Sequence, residues 1–485
     1  MHEVIIIGGG PAGLAAAIEC GKLGLPARVL EKDGCVGGLS RTVSYKGYRF
    51  DIGGHRFFTK SEEVQRLWEE TLEEDFLLRP RLSRIYYRNR FFHYPLKPFN
   101  ALAGLGPIEA ARILASYLTA RIRPAGNADD SFEDWVVQRF GRRLFEVFFR
   151  TYTEKVWGIP CREIAAEWSA QRIKGLSLTQ AILNSLSPRR GQTEIKTLID
   201  QFHYPRFGPG QMYEAFAQRV SRTGGEVGME QEVVQIDWEP GRIKAVWTRE
   251  QDGQRIRHEG SHFISSMPIT DLVLRMNPAP PDHVVSAAKS LGYRGILTVN
   301  LILNRDQMFP DTWIYVHSPE VRVGRIQNFK NWSPFMVPDP NHTAVGLEYF
   351  CWEGDDLWSR PDPELIELGI GEMQALRLAD PGDFIDANVI RMPKAYCLHT
   401  RTYMEQVRDL RSFLSPLKNL QPVGRAGMFK YNNSDHSILT ALYAARNLAG
   451  ADYDVWRVNT DCSYHEEIGA DEGERGEDRN QRQGA

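Results

Sequence analysis

The feature that most constrains this chain is a glycine turn near its start. Gly8, Gly10 and Gly13 directly follow the β-branched run Val4 to Ile7 and open an alanine-rich helical stretch from Ala12 to Leu23. A short apolar run ending in glycine suits a strand buried on both faces of a parallel sheet. Ala27 to Leu30 reads as the next strand, and Glu31 closes it at the distance that a dinucleotide-binding βαβ unit requires. Each part has a physical task. The first glycine makes the tight turn, the second lets backbone N–H groups approach a pyrophosphate, and the third lets helix and strand pack closely. The helix N-terminus adds partial positive charge, and Glu31 accepts from ribose hydroxyls. Pro11, Ala12 and Lys32 complete the expected cofactor-binding set around this turn.

A chain of 485 residues exceeds one compact core and calls for two or three interleaved domains. A net charge of -3 provides no basic footprint for nucleic acid, so an anionic ligand must be met by a few local arginines. The six cysteines show no CxxC or paired spacing and are expected to be reduced thiols of a cytoplasmic protein. The apolar residues begin at Val4 without a basic leader, so no signal peptide is expected. Ala101 to Ile122 is interrupted by Glu109, Arg112 and Arg121, so it falls short of a membrane span; it reads as an amphipathic domain helix in preference to a peripheral membrane contact. No metal-ligand cluster is visible, and no metal is expected.

The expected fold class is α/β. A discontinuous Rossmann-like domain spans 1–98, 200–280 and 412–462, a helical domain spans 99–199, and an antiparallel sheet domain spans 281–411. The polar, acid-rich residues 466–485 are expected to form a disordered tail.

The turn alone does not separate FAD from NAD. Gly37-Gly38-Leu39-Ser40-Arg41 and Asp51-Ile52-Gly53-Gly54-His55 supply two further places for close backbone approach, which an NAD site does not use. Together these segments resemble those of the amine oxidase and protoporphyrinogen oxidase superfamily of flavoproteins. There they run along the pyrophosphate and isoalloxazine, and Val233 matches the position that meets adenine.

Three later stretches resemble UDP-galactopyranose mutase: Ser131 to Ile173 (SFEDWVVQRFG, EKVWGIP, EWSAQRI), Phe202 to Met212 (FHYPRFGPGQM) and Gly424 to Ser437 (GRAGMFKYNNSDHS). A weaker stretch runs from Gly324 to Phe335. The resemblance implies that Arg172 and Arg325 grip the pyrophosphate of a nucleotide sugar, a task suited to the planar, permanently charged guanidinium. It places Arg425 beside the flavin, with Tyr431, Asn433 and Tyr396 near sugar and diphosphate, and Gly424 and Ser437 at the cofactor. It puts His55 on a loop near the flavin N5. Tyr94, Phe148, Trp157 and Trp332 complete the implied substrate set. Read as residues alone, Trp157 and Tyr396 serve equally as core aromatics, and either arginine as an ion-pair partner.

The implied reaction interconverts pyranose and furanose forms of a UDP-sugar. It is redox-neutral, requires reduced FAD, and passes through a covalent adduct between flavin N5 and the sugar. Its product would serve cell-surface polysaccharide biosynthesis, and NAD(P)H is the reductant the family suggests, although no separate nicotinamide motif is visible. Leu96, Lys97, Trp332 and Thr153 depart from the mutase pattern at base and sugar recognition. An FAD-dependent oxidoreductase of the amine oxidase, protoporphyrinogen oxidase or desaturase type therefore stands as the alternative. Neither a monomer nor a homo-oligomer is singled out.

Overall fold

Strand β1, Val4–Ile7, is buried along its whole length because it is paired on both sides. It lies parallel to β2, Ala27–Leu30, and to His262–Ser265, and the sheet continues to Glu226–Gly228 on one edge and Leu420–Pro422 on the other. Five parallel strands thus come from three distant parts of the chain, which accounts for β1 showing no alternation of polar and apolar residues. Helix α1, Pro11–Lys22, packs its alanines against the helices Ser434–Leu448 and Pro209–Arg222. Small side chains at Ala12, Ala15 and Ala16 let the backbones approach, while Leu14 and Ile18 fill the space between. Truncating either to Ala would cost about 2–5 kcal/mol.

The computed structural model describes residues 4–96, 98–122, 131–166, 200–250 and 252–459, so the expected tail 466–485 lies outside the described residues. A four-stranded sheet, Arg255–Glu259, Arg242–Arg249, Glu232–Glu239 and Met276–Asn277, flanks the parallel sheet. A seven-stranded sheet runs in the order Phe384–Cys397, Tyr293–Leu303, Thr343–Cys351, Arg325–Asn328, Trp313–Val316, Ser83–Tyr87 and Arg90–His93. The last two strands fall within the span 1–98 expected for the cofactor domain. They belong instead to this sheet, because Ser83–Tyr87 pairs parallel to Trp313–Val316 and buries Ile85, Tyr86 and Tyr87 there. That pairing is also the one parallel step in an otherwise antiparallel sheet. The fold is therefore α/β with several antiparallel sheets, as expected.

The helical part opens with Pro98–Leu105 and Pro107–Ile122 and continues with Phe132–Phe140, whose Ser131 accepts from the Asp134 N–H as N-cap. From Arg142 to Trp157 the chain is helical throughout, with a π-helical turn at Phe145–Arg150 that re-aims the residues after it. The apolar residues of these helices share a core with Ile296, Phe350 and Ala395 of the seven-stranded sheet. Helix and sheet are locked face to face, with Trp157 at their junction. Among the described residues no helix is long and apolar enough to cross a membrane.

Candidate active site

The glycine cradle is formed by two opposed turns. Gly8 has φ +98°, open to glycine at no steric cost, and a Cβ on Gly13 would overlap the Gly8 carbonyl oxygen. Opposite them, Gly37 donates its N–H to the Gly9 carbonyl at 2.9 Å. A Cβ on Gly10 would lie 3.9 Å from the Gly38 Cα, and one on Gly38 would lie 3.4 Å from the Gly10 Cα, so neither is excluded by protein. Both would project into the gap between the turns. The α1 N-terminus points there with no side-chain cap, and Pro11 begins the helix. Glu31 accepts from the Gly9 N–H at 2.6 Å and from the Asp33 N–H at 2.9 Å, which holds the turn to β2. Burial pushes its carboxyl above the usual range, and the two N–H donors offset this only in part. Arg41 closes the second turn by donating from Nε to the Gly38 carbonyl and pairing with Asp33. At the far end Gly424 packs against Ala12 and takes its N–H to the Thr440 hydroxyl.

His55 is delivered by a hairpin, β3 Thr42–Tyr45 and β4 Tyr48–Asp51, followed by a turn in which Gly53 has φ +85°. Phe202 to Met212 pins this hairpin. Tyr204 donates to the buried Asp51, the Gly210 N–H donates to the Thr42 hydroxyl, and Phe57 and His203 exchange backbone hydrogen bonds. The His55 Nε2 lies 2.9 Å from the Ile52 carbonyl and Nδ1 lies 3.4 Å from the Ser40 hydroxyl. A carbonyl only accepts, so Nε2 carries the proton and Nδ1 accepts from Ser40. Burial pushes the ring's pKa down to about 4, and the charges of Arg425 and Arg325 act in the same direction. His55 is thus neutral at physiological pH and stands within the field of both arginines.

Those arginines converge on Tyr396. Arg325 donates from Nη2 to the Tyr396 hydroxyl at 2.7 Å, and the Arg425 guanidinium lies 5.8 Å from the Tyr396 ring and 4.6 Å from the Tyr431 ring. Tyr396 and Tyr431 stack at 6.4 Å, and Trp157 meets Tyr396 edge-on at 6.3 Å. Arg425 is fixed by its own Nε donating to the Asn432 carbonyl at 2.8 Å. His55, Arg325, Arg425, Tyr396, Tyr431 and Trp157, widely separated in sequence, are therefore gathered into one cluster. Arg172 lies outside the described residues.

The remaining expected positions are held by contacts of their own. Trp332 is buried, donates from Nε1 to the Thr312 carbonyl and Gln327 Oε1, and backs Gly54. Phe148 is buried among Tyr87, Phe92 and His317. Asn433 caps the helix Ser434–Leu448 in a reciprocal box with His436, and Ser437 is buried in that helix's first turns. Tyr94 packs against Tyr315 with the rings tilted and 4.7 Å apart, and Arg81 lies nearby. Val233 is buried, and its carbonyl accepts from Arg275. Lys32 is exposed beside the cradle and Leu39 is partly buried.

Sequence reading missed Glu348, Gln327 and Tyr152. Glu348 is fully buried directly across the strand pair from Arg325. It accepts from Arg325 Nε at 2.8 Å and from Gln327 Nε2 at 2.6 Å, and Arg325 Nη2 lies at ion-pair distance from it, 2.5 Å. Burial acts to lower the Arg325 pKa, and the Glu348 carboxylate outweighs it, so the guanidinium is held above its ordinary value. Tyr152, aimed by the π-helical turn, stacks on His317 and lies within the field of Arg325 and Glu348. One signal was available: a lone carboxylate in the apolar run Thr343–Cys351 is out of place unless paired.

The opposed glycine turns, the uncapped helix and the second loop carrying His55 fit a flavin dinucleotide. The fold and cradle together define an FAD-dependent enzyme. The family model described as flavin containing amine oxidoreductase matches residues 11–448, and the chain belongs to that family. Among solved structures, the chain resembles reduced UDP-galactopyranose mutase with a TM-score of 0.83 at 21% identity, over 95% of this chain and 98% of that one. A putative protoporphyrinogen oxidase from Exiguobacterium sp. 255-15 superposes with a TM-score of 0.69 at 16% identity, over 92% and 98%. At such identities the likeness is one of fold. Similarity to curated relatives is short: a 1-hydroxycarotenoid 3,4-desaturase of Flavobacterium sp. (strain P99-3) is 46% identical over 57 residues, 12% of either chain.

Proposed function

We propose that this enzyme is a nucleotide-sugar mutase, interconverting pyranose and furanose forms of a UDP-sugar. The observation that supports this reading is the convergence of Arg325 and Arg425 on Tyr396 and Tyr431 beside neutral His55. Reduced FAD, held by the cradle, supplies the nucleophile and electron density. The chain's own residues orient the sugar nucleotide and stabilise the diphosphate as it leaves. Tyr396 is held by Arg325, so a phenolic donor is fixed beside two guanidinium groups where negative charge develops. Trp157 and Tyr431 offer flat faces for a sugar ring, and Arg172 is assigned the second grip on the diphosphate.

The chemistry is tested by mixing dithionite-reduced protein with UDP-galactofuranose and a panel of other nucleotide sugars and separating the products. Ring isomers formed only with reduced enzyme are expected, and Arg172→Ala should lose turnover while retaining FAD. Wild-type turnover by Arg172→Ala would remove that residue from the site. The family model and the short desaturase match favour a second reading, net oxidation of an amine or hydrocarbon. Flavin reduction by such a substrate, with no conversion across the sugar panel, would establish it instead.

A further inference from the structure

The helix Pro107–Ile122 has two apolar faces, and the fold uses one of them. Ile113 and Tyr117 are buried toward the helical core, the Ser116 hydroxyl accepts from the Arg143 N–H at 3.0 Å, and Glu109 pairs with Arg143. The other face points outward. Ile108, Leu118 and Ile122 are 72%, 59% and 78% exposed, and Leu114, Ala111 and Ala115 are exposed between them. At 3.6 residues per turn these six positions fall within an arc of about 120°. They form one continuous stripe.

Charge distinguishes the occupants this stripe can take. Arg112 and Arg121, both exposed, border it on its two sides. The one acid between 107 and 122 is Glu109, which is turned away to Arg143 and also reaches Arg112 at 3.6 Å. Among the described residues of this helix, the outward face therefore presents apolar side chains and positive charge with no carboxylate. A second copy docked on the same face would bring the same arginines and no acid to meet them. An anionic lipid surface answers both features, since its acyl boundary takes the stripe and its headgroups take the guanidinium groups.

We propose that Pro107–Ile122 lies flat in the surface of an anionic membrane and docks the enzyme there peripherally. This is independent of which reaction the flavin site performs. The helix is too short and too charged at its edges to cross the bilayer, so it rests in the headgroup region. The anchoring face lies on the helical part that shares its core with the seven-stranded sheet, so the surface would be held by the body of the enzyme rather than by a tail.

Flotation of the full-length FAD-loaded enzyme with vesicles tests this, using phosphatidylcholine alone or mixed with phosphatidylglycerol. Binding is expected to the mixed vesicles, weakened by salt. Leu118→Glu/Ile122→Glu should reduce the partition constant by about tenfold or more for each side chain removed. Arg112→Gln/Arg121→Gln should reduce it by about fivefold per arginine at low salt and flatten the salt dependence. All four positions are exposed, and unchanged flavin absorbance and melting temperature verify that each variant is folded. Should the glutamate pair fail to fold, the glutamine pair carries the test. Failure of the wild type to float with anionic vesicles would overturn the proposal, as would equal flotation of wild type and variants. A dimer in vesicle-free solution that the glutamate pair converts to monomer would assign the face to a second copy and overturn it equally.

Discussion

The Arg325–Glu348 pair should behave as one energetic unit, and a double-mutant cycle measures it. Glu348 is fully buried, accepts a hydrogen bond from Arg325 Nε at 2.8 Å and one from Gln327 at 2.6 Å, and forms an ion pair with Arg325 Nη2 at 2.5 Å. Replacing Arg325 by Met leaves that carboxylate without its counter-ion, and removing one partner of a buried pair costs about 3–5 kcal/mol. Replacing Glu348 by Leu strands the largely buried guanidinium at a similar cost. The double variant Arg325→Met/Glu348→Leu removes both charges, and apolar replacements of similar volume are close to neutral. The two single losses should therefore not add: the double variant should recover most of both, a coupling of at least about 4 kcal/mol. An unfolding entropy of about 2.1 cal/mol/K per residue over 485 residues makes 1 kcal/mol worth about one degree. Each single variant should then melt about 3–5 °C below wild type and the double variant within about 2 °C of it. Scanning fluorimetry of the FAD-loaded proteins reads this directly. Single losses that sum to the double loss would show that the two charges do not hold one another, and the account of Arg325 as a residue presented by Glu348 would fail.

Two further predictions follow from particular distances and burial. Gly13→Ala overlaps the Gly8 carbonyl and should prevent the cradle from forming, whereas Gly10→Ala meets no protein atom closer than 3.9 Å and should fold with an unchanged apoprotein melting temperature. Its Cβ occupies the approach to the pyrophosphate, so bound flavin measured by absorbance should fall by about tenfold or more. Full flavin content in Gly10→Ala would place the pyrophosphate elsewhere. His399 is buried between Trp157 and Tyr403, and burial pushes its pKa down to about 4. Because the folded value lies below the ordinary 6.5, its contribution to stability is complete above pH 6.5 and is lost as pH falls toward 4. The loss amounts to about 2–3 kcal/mol between pH 7 and pH ~4.5. His399→Phe should keep the stacking and flatten the melting profile over that range by about 2–3 °C; a parallel profile would mean the ring protonates freely in the native state.

The cofactor cradle was legible in the sequence because what it requires is local. Each glycine answers to an atom a few residues away or to the next turn, and Glu31 reaches back to the Gly9 N–H across one βαβ unit. The grouping of strands was not. The aromatics of Ser83–Tyr87 mark a strand, but only its pairing with Trp313–Val316 decides which sheet takes it, more than 200 residues away. The same limit hid Glu348, whose place opposite Arg325 is a matter of register. Burial was equally unreadable for Trp332 and Phe148: an aromatic at a motif position can face a ligand or support the residue that does. Asn433 shows the reverse case, since Asn followed by Ser-Asp-His ahead of an apolar helical run is an N-cap signature on its face.

The chemistry of the wall beside His55 bears on what can react there. An apolar substrate surrendering hydride is best served by aliphatic surface, because every polar group it covers must lose water without replacement. Here the wall presents two guanidinium groups and the phenols of Tyr396 and Tyr431, hydrogen-bonded or stacked among themselves, with the buried Glu348 carboxylate behind Arg325. Such groups are costly beside hydrocarbon and useful beside a polyanion or a sugar. Glu348 balances the charge of Arg325 and occupies its Nε and one Nη, so that arginine acts chiefly as a fixed donor holding Tyr396 in place. Among the described residues Arg425 has no such counter-ion: its Nε goes to the Asn432 carbonyl and one face to Tyr431, which orient it. An arginine paired with a carboxylate beside one that, among the described residues, has none is in keeping with the proposed charged, oxygen-rich substrate.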